Sequence, residues 1–149
     1  MIDTETGIEA PPLFLASTDR AAWAARQYIK DQFAAWGIEN DPQSGLSADY
    51  TSRVVVSELV TNAFRHAGGE AIIVRVSLEK AARPLGKRGY VLIEVWDPSP
   101  VQPEALPVDL VGENGRGVAM VASLAEAWGI RPVSDSEGGG KVVWARMCV

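Results

Sequence analysis

Apolar residues recur at intervals of three and four along three stretches of the chain, which is the spacing of one buried helix face. The predicted helices cover about residues 18–36, 47–67 and 115–127. Ser17, Thr18 and Asp19 are each suitable as the N-cap of the first helix, because their side-chain oxygens accept backbone N–H groups. Gly37 follows the first helix and Gly68 the second, and glycine commonly ends helices.

Five shorter stretches alternate in polarity or are rich in β-branched residues, as β-strands are. They cover residues 13–16, 71–78, 90–96, 128–133 and 141–148. Turn-rich connections predict two hairpins, one from the second and third strands and one from the last two. This order of helices and hairpins favours a two-layer α/β sandwich, in which one mixed sheet carries the helices on one face.

The chain is long enough for one domain with a sizeable core, with 149 residues and 47% hydrophobic content. Residues 1–11 are polar and acidic and predict a loose tail, so the domain is expected over residues 12–149. No apolar run approaches the roughly 20 residues that span a bilayer, and the acidic N-terminus is unlike an export signal. We therefore expect a soluble, cytoplasmic protein with no membrane partner.

The charge of the chain argues against nucleic-acid binding, and its scarcity of cysteine and histidine excludes internal disulfides and Cys/His zinc sites. The net charge is -5 and the basic residues are scattered, which argues against direct binding of nucleic acid. Cys148 is the single cysteine and His66 the single histidine of the sequence. Neither an internal disulfide nor a Cys/His zinc site can therefore form.

Glu58, Asn62 and His66 stand four residues apart, so they line one stripe of the second predicted helix, beside its apolar stripe. The amide oxygen of Asn62 suits Mg²⁺, which prefers oxygen ligands. The carboxylate of Glu58, one turn earlier, suits a general base. The alternative is an ordinary solvated helix face, on which Glu and Asn are common.

Asp97 continues the alternation of Val91, Ile93 and Val95, which predicts an inward-facing carboxylate at the end of a strand. A buried carboxylate needs a donor, and the exocyclic amine of adenine is one that it could meet there. The alternative is an Asp-Pro turn, in which the side chain of Asp97 accepts from its own backbone. The sequence alone leaves both interpretations open.

Gly115 and Gly117 open the third predicted helix, after a long irregular loop over residues 98–114. Glycines at a helix start let backbone N–H groups approach phosphate oxygens closely. The alternative for a lone G-x-G is a turn that only packing requires. The ordered set is more specific: E-x-x-x-N on a helix, an Asp at a strand end, a long loop, and G-x-G at a helix start.

These motifs together resemble the GHKL group of ATPases, and within it the small RsbW/SpoIIAB-like anti-sigma-factor kinases. SELVTNAFRHA is similar to the N box and IEVWDPSP to the first glycine box. GENGRGVAMV is similar to the second glycine box and GGGKVVWARM to the closing strand. The resemblance covers about residues 13–147 and implies the Bergerat fold, with ATP and Mg²⁺ bound and the long loop acting as an ATP lid.

The resemblance implies a role for each residue that matches a motif. Glu58 is expected to be the general base, Asn62 the Mg²⁺ ligand and Asp97 the residue that reads adenine. The implied nucleotide contacts are Asn62, Arg65, His66, Asp97, Asn114, Gly115, Arg116, Gly117 and Val118. For His66, the role of an ordinary helix-end histidine fits equally well.

The chain departs from the usual family pattern at three points. Prolines and a serine stand where the first box usually has glycines, at Pro98, Ser99 and Pro100. Glu113 stands where kinase members have an arginine. Val142 stands where the closing strand often has a threonine. The departures concern lid motion, phosphate contact and adenine contact respectively.

Three hypotheses of function follow. The resemblance implies a serine/threonine kinase that sequesters a sigma factor and phosphorylates a STAS-type anti-sigma-factor antagonist, and it favours a homodimer. The departures near the glycine boxes favour an ATP-gated protein-binding module without productive phosphoryl transfer. A structural protein that binds no nucleotide is the third hypothesis, and it requires all four motifs to be coincidental.

Overall fold

The computed structural model describes residues 7–16, 18–38, 48–67, 71–79, 89–100 and 115–149, with the backbone alone for residues 66, 67 and 115–119. Its helices are α1 (Ala21–Ala35), α2 (Ala48–Ala67) and α3 (Gly115–Leu124). Its strands are β1 (Ile8–Glu9), β2 (Leu13–Leu15), β3 (Ile72–Glu79), β4 (Tyr90–Asp97), β5 (Ala127–Pro132) and β6 (Lys141–Cys148). A short 3₁₀ helix, Asp135–Glu137, lies between β5 and β6.

All six strands belong to one sheet. β3, β4, β6 and β5 are neighbours in that order, and β1 and β2 both pair with β3. The two predicted hairpins are present, β3 with β4 and β5 with β6. The sheet differs from the expected mixed one, because every pairing among the described residues is antiparallel. The reason is that β6 inserts between β4 and β5, which run in the same direction.

The helices cover one face of this sheet and enclose the core with it. α2 lies centrally, since it packs against α1, α3, β4 and β6. The largest fully buried side chains come from both layers: Phe33, Ile29, Ile72, Ile93, Val55, Val56, Val60, Val74, Val76, Val91, Val95 and Val121. Each such side chain stabilises the fold by roughly 1.5–3 kcal/mol relative to exposure. The predicted two-layer α/β sandwich is confirmed.

The opposite face of the sheet carries charged side chains. Arg131 and Glu94 form an ion pair of 2.6 Å between β5 and β4. Arg146 and Glu79 approach to 3.5 Å further along the sheet. Exposed pairs of this kind contribute little to stability, about 0–1 kcal/mol each. This face therefore offers positions where a charge can be removed without disturbing the core.

The ends of α1 test the predicted start and stop signals. Gly37 follows the helix with φ of +72°, as its predicted stop requires. The predicted cap is wrong, because Arg20 occupies the N-cap position without any side-chain hydrogen bond. Thr18 instead accepts the N–H of Arg20 on its hydroxyl, at 3.3 Å, and the N–H of Ala21 on its carbonyl, at 3.1 Å. Ser17 lies outside the described residues.

The predicted N-terminal tail contains a short strand. Ile8 pairs with Leu78 and Glu9 with Ser77, so β1 extends the edge of the sheet beside β3. Residues 1–6 lie outside the part of the chain that the structure describes. Among the helices in the described ranges, none is long and apolar enough to cross a membrane.

Candidate nucleotide-binding site

Asp97 is the last residue of β4 and is completely buried on the face of the sheet that the helices cover. The alternation of the strand places it on the same face as Val91, Ile93 and Val95, as predicted. Its Cα pairs across the sheet with that of Lys141, the first residue of β6. The site is therefore built at one end of the two central strands.

Three donors converge on the Oδ1 atom of Asp97. The Nζ atom of Lys141 donates to it at 3.0 Å, and the backbone N–H of Ser99 donates at 2.9 Å. The hydroxyl of Ser99 also donates to Oδ1, and itself accepts from Nζ of Lys141. The Asp-Pro turn interpretation is thus correct for this oxygen, since it accepts from the backbone two residues further along.

The Oδ2 atom of Asp97 lies in a different environment. It is buried, and among the residues that the structure describes it has no hydrogen-bond partner. A buried polar atom without a partner costs about 1–3 kcal/mol, and more when it is charged. One carboxylate oxygen is thus held by the protein, while the other fits a donor such as the exocyclic amine of adenine.

The sequence interpretation missed the role of Lys141. Its side chain is only 6% exposed, and it forms the buried ion pair with Asp97. A signal for this position was available, because Val143, Ala145 and Met147 follow it at intervals of two and pack on the core. Period-two alternation therefore places Lys141 on the inner face, where an ammonium group needs an acidic partner.

A glycine turn holds the start of β6 against the end of β4. Gly140 has φ of +81°, and a Cβ there would lie 2.2 Å from the carbonyl oxygen of Asp97. The indole N–H of Trp96 donates to the carbonyl of Gly139 at 2.8 Å. The close approach of these backbones is possible only because position 140 has no side chain.

The Gly140→Ala variant is expected to lose more than about 2 kcal/mol of unfolding free energy, through left-handed backbone strain and the collision with Asp97. Gly138→Ala is the matched control, because Gly138 also has a positive φ, of +112°, but a Cβ there meets nothing within 4 Å. It should cost only the strain, about 1–2 kcal/mol. Urea unfolding of both variants checks this, and equal losses would contradict the collision.

Two of the predicted site residues lie on α2, the helix that packs against the strands of the site. Asn62 is 8% exposed and Glu58 is half-buried. α2 packs against β4 and β6, the strands that carry Asp97 and Lys141. Asn62 is more enclosed than a residue on an ordinary solvated helix face, which argues against that alternative.

Comparison with known protein families assigns the chain to a domain family. The family model described as the histidine kinase-like ATPase domain matches residues 15–147. The chain belongs to this family. The match confirms the resemblance to GHKL ATPases and identifies an ATP-binding domain. No curated protein matches the chain.

Arg65 lies on the exposed surface of α2. Its side chain is exposed and lines a depression of about 350 Å³ between the start of α1 and the C-terminal half of α2. Glu58, Asn62 and Asp97 are not among the residues that line this depression.

The glycine-rich start of α3 is the remaining predicted part of the ATPase site. The helix begins at Gly115, as predicted, with Gly117 in its first turn, and it packs against α2. It ends at Leu124, earlier than the predicted limit. The other predicted contacts lie outside the described residues, namely the side chains of His66, Arg116 and Val118 and the whole of Asn114. The predicted lid is described only as far as Pro100.

Proposed function

We propose that this ATPase domain is a regulatory serine/threonine kinase that uses Mg-ATP, sequesters a sigma factor and phosphorylates a STAS-type antagonist of that sequestration. The observation that carries the nucleotide part is the buried Oδ2 atom of Asp97, which has no donor among the described residues. The sigma factor, the antagonist and a homodimeric assembly are inferred from the resemblance of the four motifs to RsbW/SpoIIAB-like anti-sigma-factor kinases.

Adenine recognition is assigned to Asp97. Its Oδ2 atom accepts from the 6-amino group of adenine, which is a donor. Guanine carries a carbonyl at the same ring position, and two acceptors facing each other in a buried site repel. The domain is therefore proposed to use ATP and to reject GTP.

Metal binding is assigned to Asn62. Mg²⁺ retains several waters and usually takes one or two protein ligands together with the substrate phosphates. A single amide oxygen on α2 is sufficient for this arrangement, because the phosphates supply most of the negative charge. The burial of Asn62, at 8% exposure, supports this assignment, because it leaves the amide little rotational freedom.

The Asn62→Ala variant is expected to remain folded and to lose the Mg²⁺ dependence of its ATP affinity. Calorimetric titrations with ATP, in magnesium and in EDTA, measure that dependence. Thr61→Ala is the matched control, because the Thr61 hydroxyl bonds to the backbone carbonyl of Ser57 at 2.8 Å and is not assigned to the metal. A folded Asn62→Ala protein with unchanged magnesium dependence would refute the ligand role.

Proton transfer is assigned to Glu58, one helical turn before Asn62. In the proposed step, the hydroxyl oxygen of a serine on the antagonist attacks the terminal phosphorus of ATP. The proton of that hydroxyl passes to the carboxylate of Glu58 as the new O–P bond forms and ADP leaves. Glu58 is half-buried on the same stripe of α2 as Asn62, which supports this assignment.

A specific contact favours the second candidate function, an ATP-gated protein-binding module. Ser99 occupies a position where the family usually has a flexible glycine. Both its N–H and its hydroxyl donate to Asp97, and Lys141 donates to its hydroxyl. These hydrogen bonds restrain the first residues after β4. A restrained segment favours a site that binds nucleotide without a conformational change over a site that catalyses repeated phosphoryl transfer.

One experiment separates these functions. Calorimetry first measures the affinity of the wild-type protein for ATP and GTP. The protein is then incubated with γ-labelled ATP and candidate STAS-type antagonists. Label on an antagonist serine supports the kinase, and tight ATP binding with no label supports the gated module. No measurable affinity for ATP would reject both.

A further inference from the structure

Among the residues that the structure describes, the ammonium group of Lys141 has fewer acceptors than N–H donors. Lysine has three N–H donors. In the described part of the chain, Nζ of Lys141 donates to two acceptors, Oδ1 of Asp97 at 3.0 Å and the hydroxyl of Ser99. One N–H remains, on a side chain that is only 6% exposed.

Within the described ranges, the ion pair of Asp97 and Lys141 therefore lacks one donor and one acceptor. Oδ2 of Asp97 has no donor among the described residues, and the third N–H of Lys141 has no acceptor there. Because Nζ and Oδ1 are 3.0 Å apart, the two unsatisfied groups are neighbours. Together they present an acceptor and a charged donor side by side at the end of β4 and β6.

We propose that Lys141 reads the nucleotide base, donating its third N–H to the N1 atom of adenine while Asp97 accepts from the 6-amino group. This deepens the proposed function and rests on it. The amino group and N1 are adjacent on the adenine ring, on the edge opposite the ribose. That edge enters a buried site first, with the ribose and phosphates following behind it.

The pair would make Lys141 a specificity-determining residue. Guanine in the same orientation presents a carbonyl to the carboxylate of Asp97 and a ring N–H to the ammonium of Lys141. Both contacts are then repulsive, whereas a carboxylate alone would produce one repulsive contact. Lys141 also supplies a donor next to Val142, which stands where the closing strand often has a threonine and which cannot donate.

A purely structural role for the pair does not account for its unsatisfied groups. The attraction between two buried charges offsets their loss of hydration only when further hydrogen bonds satisfy the remaining lone pairs and protons. Asp97 and Lys141 each keep one group that the described residues leave open. A nucleotide base bound to both groups would satisfy the open acceptor of Asp97 and the open N–H of Lys141.

The decisive measurement uses the wild-type protein and three nucleotides: ATP, 1-deaza-ATP and 7-deaza-ATP. 1-Deaza-ATP lacks only the ring nitrogen assigned to Lys141, and 7-deaza-ATP lacks the nitrogen on the other side of the amino group. We expect 1-deaza-ATP to bind about tenfold more weakly than ATP, as for one lost charged hydrogen bond, and 7-deaza-ATP to bind equally. Equal affinities for ATP and 1-deaza-ATP, or a loss confined to 7-deaza-ATP, would overturn the inference.

The Lys141→Met variant completes a double-mutant cycle. It should bind ATP about tenfold more weakly than the wild-type protein, and it should no longer distinguish ATP from 1-deaza-ATP. Arg131→Met is the matched control, because it removes a cation from the outer face of the same sheet. It should keep the full difference between the two nucleotides. A folded Lys141→Met protein that still prefers ATP to 1-deaza-ATP would contradict the proposal.

The outcomes separate this inference from the function on which it rests. A wild-type protein that binds neither ATP nor its analogues would remove the proposed function and the role of Lys141 together. A protein that binds ATP tightly and 1-deaza-ATP equally well would remove the role of Lys141 alone. If Lys141→Met does not fold, the comparison of the three nucleotides on the wild-type protein still decides.

Discussion

The Asp97→Asn variant is expected to bind ATP roughly 10- to 150-fold more weakly than the wild-type protein, which corresponds to about 1.5–3 kcal/mol. The amide weakens the acceptor that we assign to the adenine amine, and it removes the negative charge that lies 3.0 Å from Lys141. The ratio of ATP affinity to GTP affinity should also decrease in this variant. Calorimetric titration of both nucleotides measures the two effects.

Asp49→Asn is the matched control for this variant. Asp49 is also a buried acid, and it pairs with Arg53 at 3.2 Å near the start of α2. Its replacement removes a similar charge about 13 residues, or roughly 20 Å of helix, from Asn62. ATP affinity should therefore stay within about twofold of the wild-type value. A wild-type protein with equal affinities for ATP and GTP would refute the assignment of Asp97.

The Glu58→Gln variant is expected to bind ATP normally and to transfer phosphate at least about a hundredfold more slowly, which is the usual effect of removing a positioned base. Glutamine has nearly the same shape as glutamate but cannot accept the proton of the attacking hydroxyl. ATP affinity is measured by calorimetry, and transfer by labelled phosphate on a serine of the antagonist.

Glu94→Gln is the control for this second variant, because Glu94 lies on the outer face of the sheet and pairs with Arg131. Its transfer rate should equal that of the wild-type protein. If Glu58→Gln transfers phosphate at the wild-type rate, Glu58 is not the base. If the wild-type protein binds ATP and labels none of the antagonists, the gated module replaces the kinase.

Local patterns predicted most of the secondary structure. The last strand occupies Lys141–Cys148, as predicted, because strand alternation is a property of neighbouring residues. The same alternation predicted the inward orientation of Asp97, and the intervals of three and four predicted the buried face of α1. These patterns depend only on residues within one helix or strand, so a single sequence contains them.

The missing information concerned residues that are distant in the sequence. Asp97 and Lys141 are 44 positions apart, and their contact depends on the register between β4 and β6. No pattern within a single strand predicts that register. The antiparallel order of the sheet was missed for the same reason, because it depends on β6 inserting between β4 and β5.

The N-cap of α1 could not be predicted for a different reason. Three consecutive residues were each suitable, but the N-cap position is occupied by Arg20, without a side-chain cap hydrogen bond. The hydroxyl of Thr18 bonds instead to the N–H of Arg20, within the turn before the helix. A good cap residue is worth only about 1 kcal/mol, so composition alone does not resolve which of several neighbouring residues caps the helix.

The pairing of Asp97 with Lys141 also has a consequence for assembly of the sheet. A slip of one residue between β4 and β6 would turn Lys141 to the outer face and leave Asp97 buried opposite an uncharged residue. An unpaired buried charge of this kind costs about 3–5 kcal/mol, so the pair selects one alignment of the two central strands during folding. A variant of this protein that no longer bound nucleotide would therefore still lose stability if only one of the two residues were replaced.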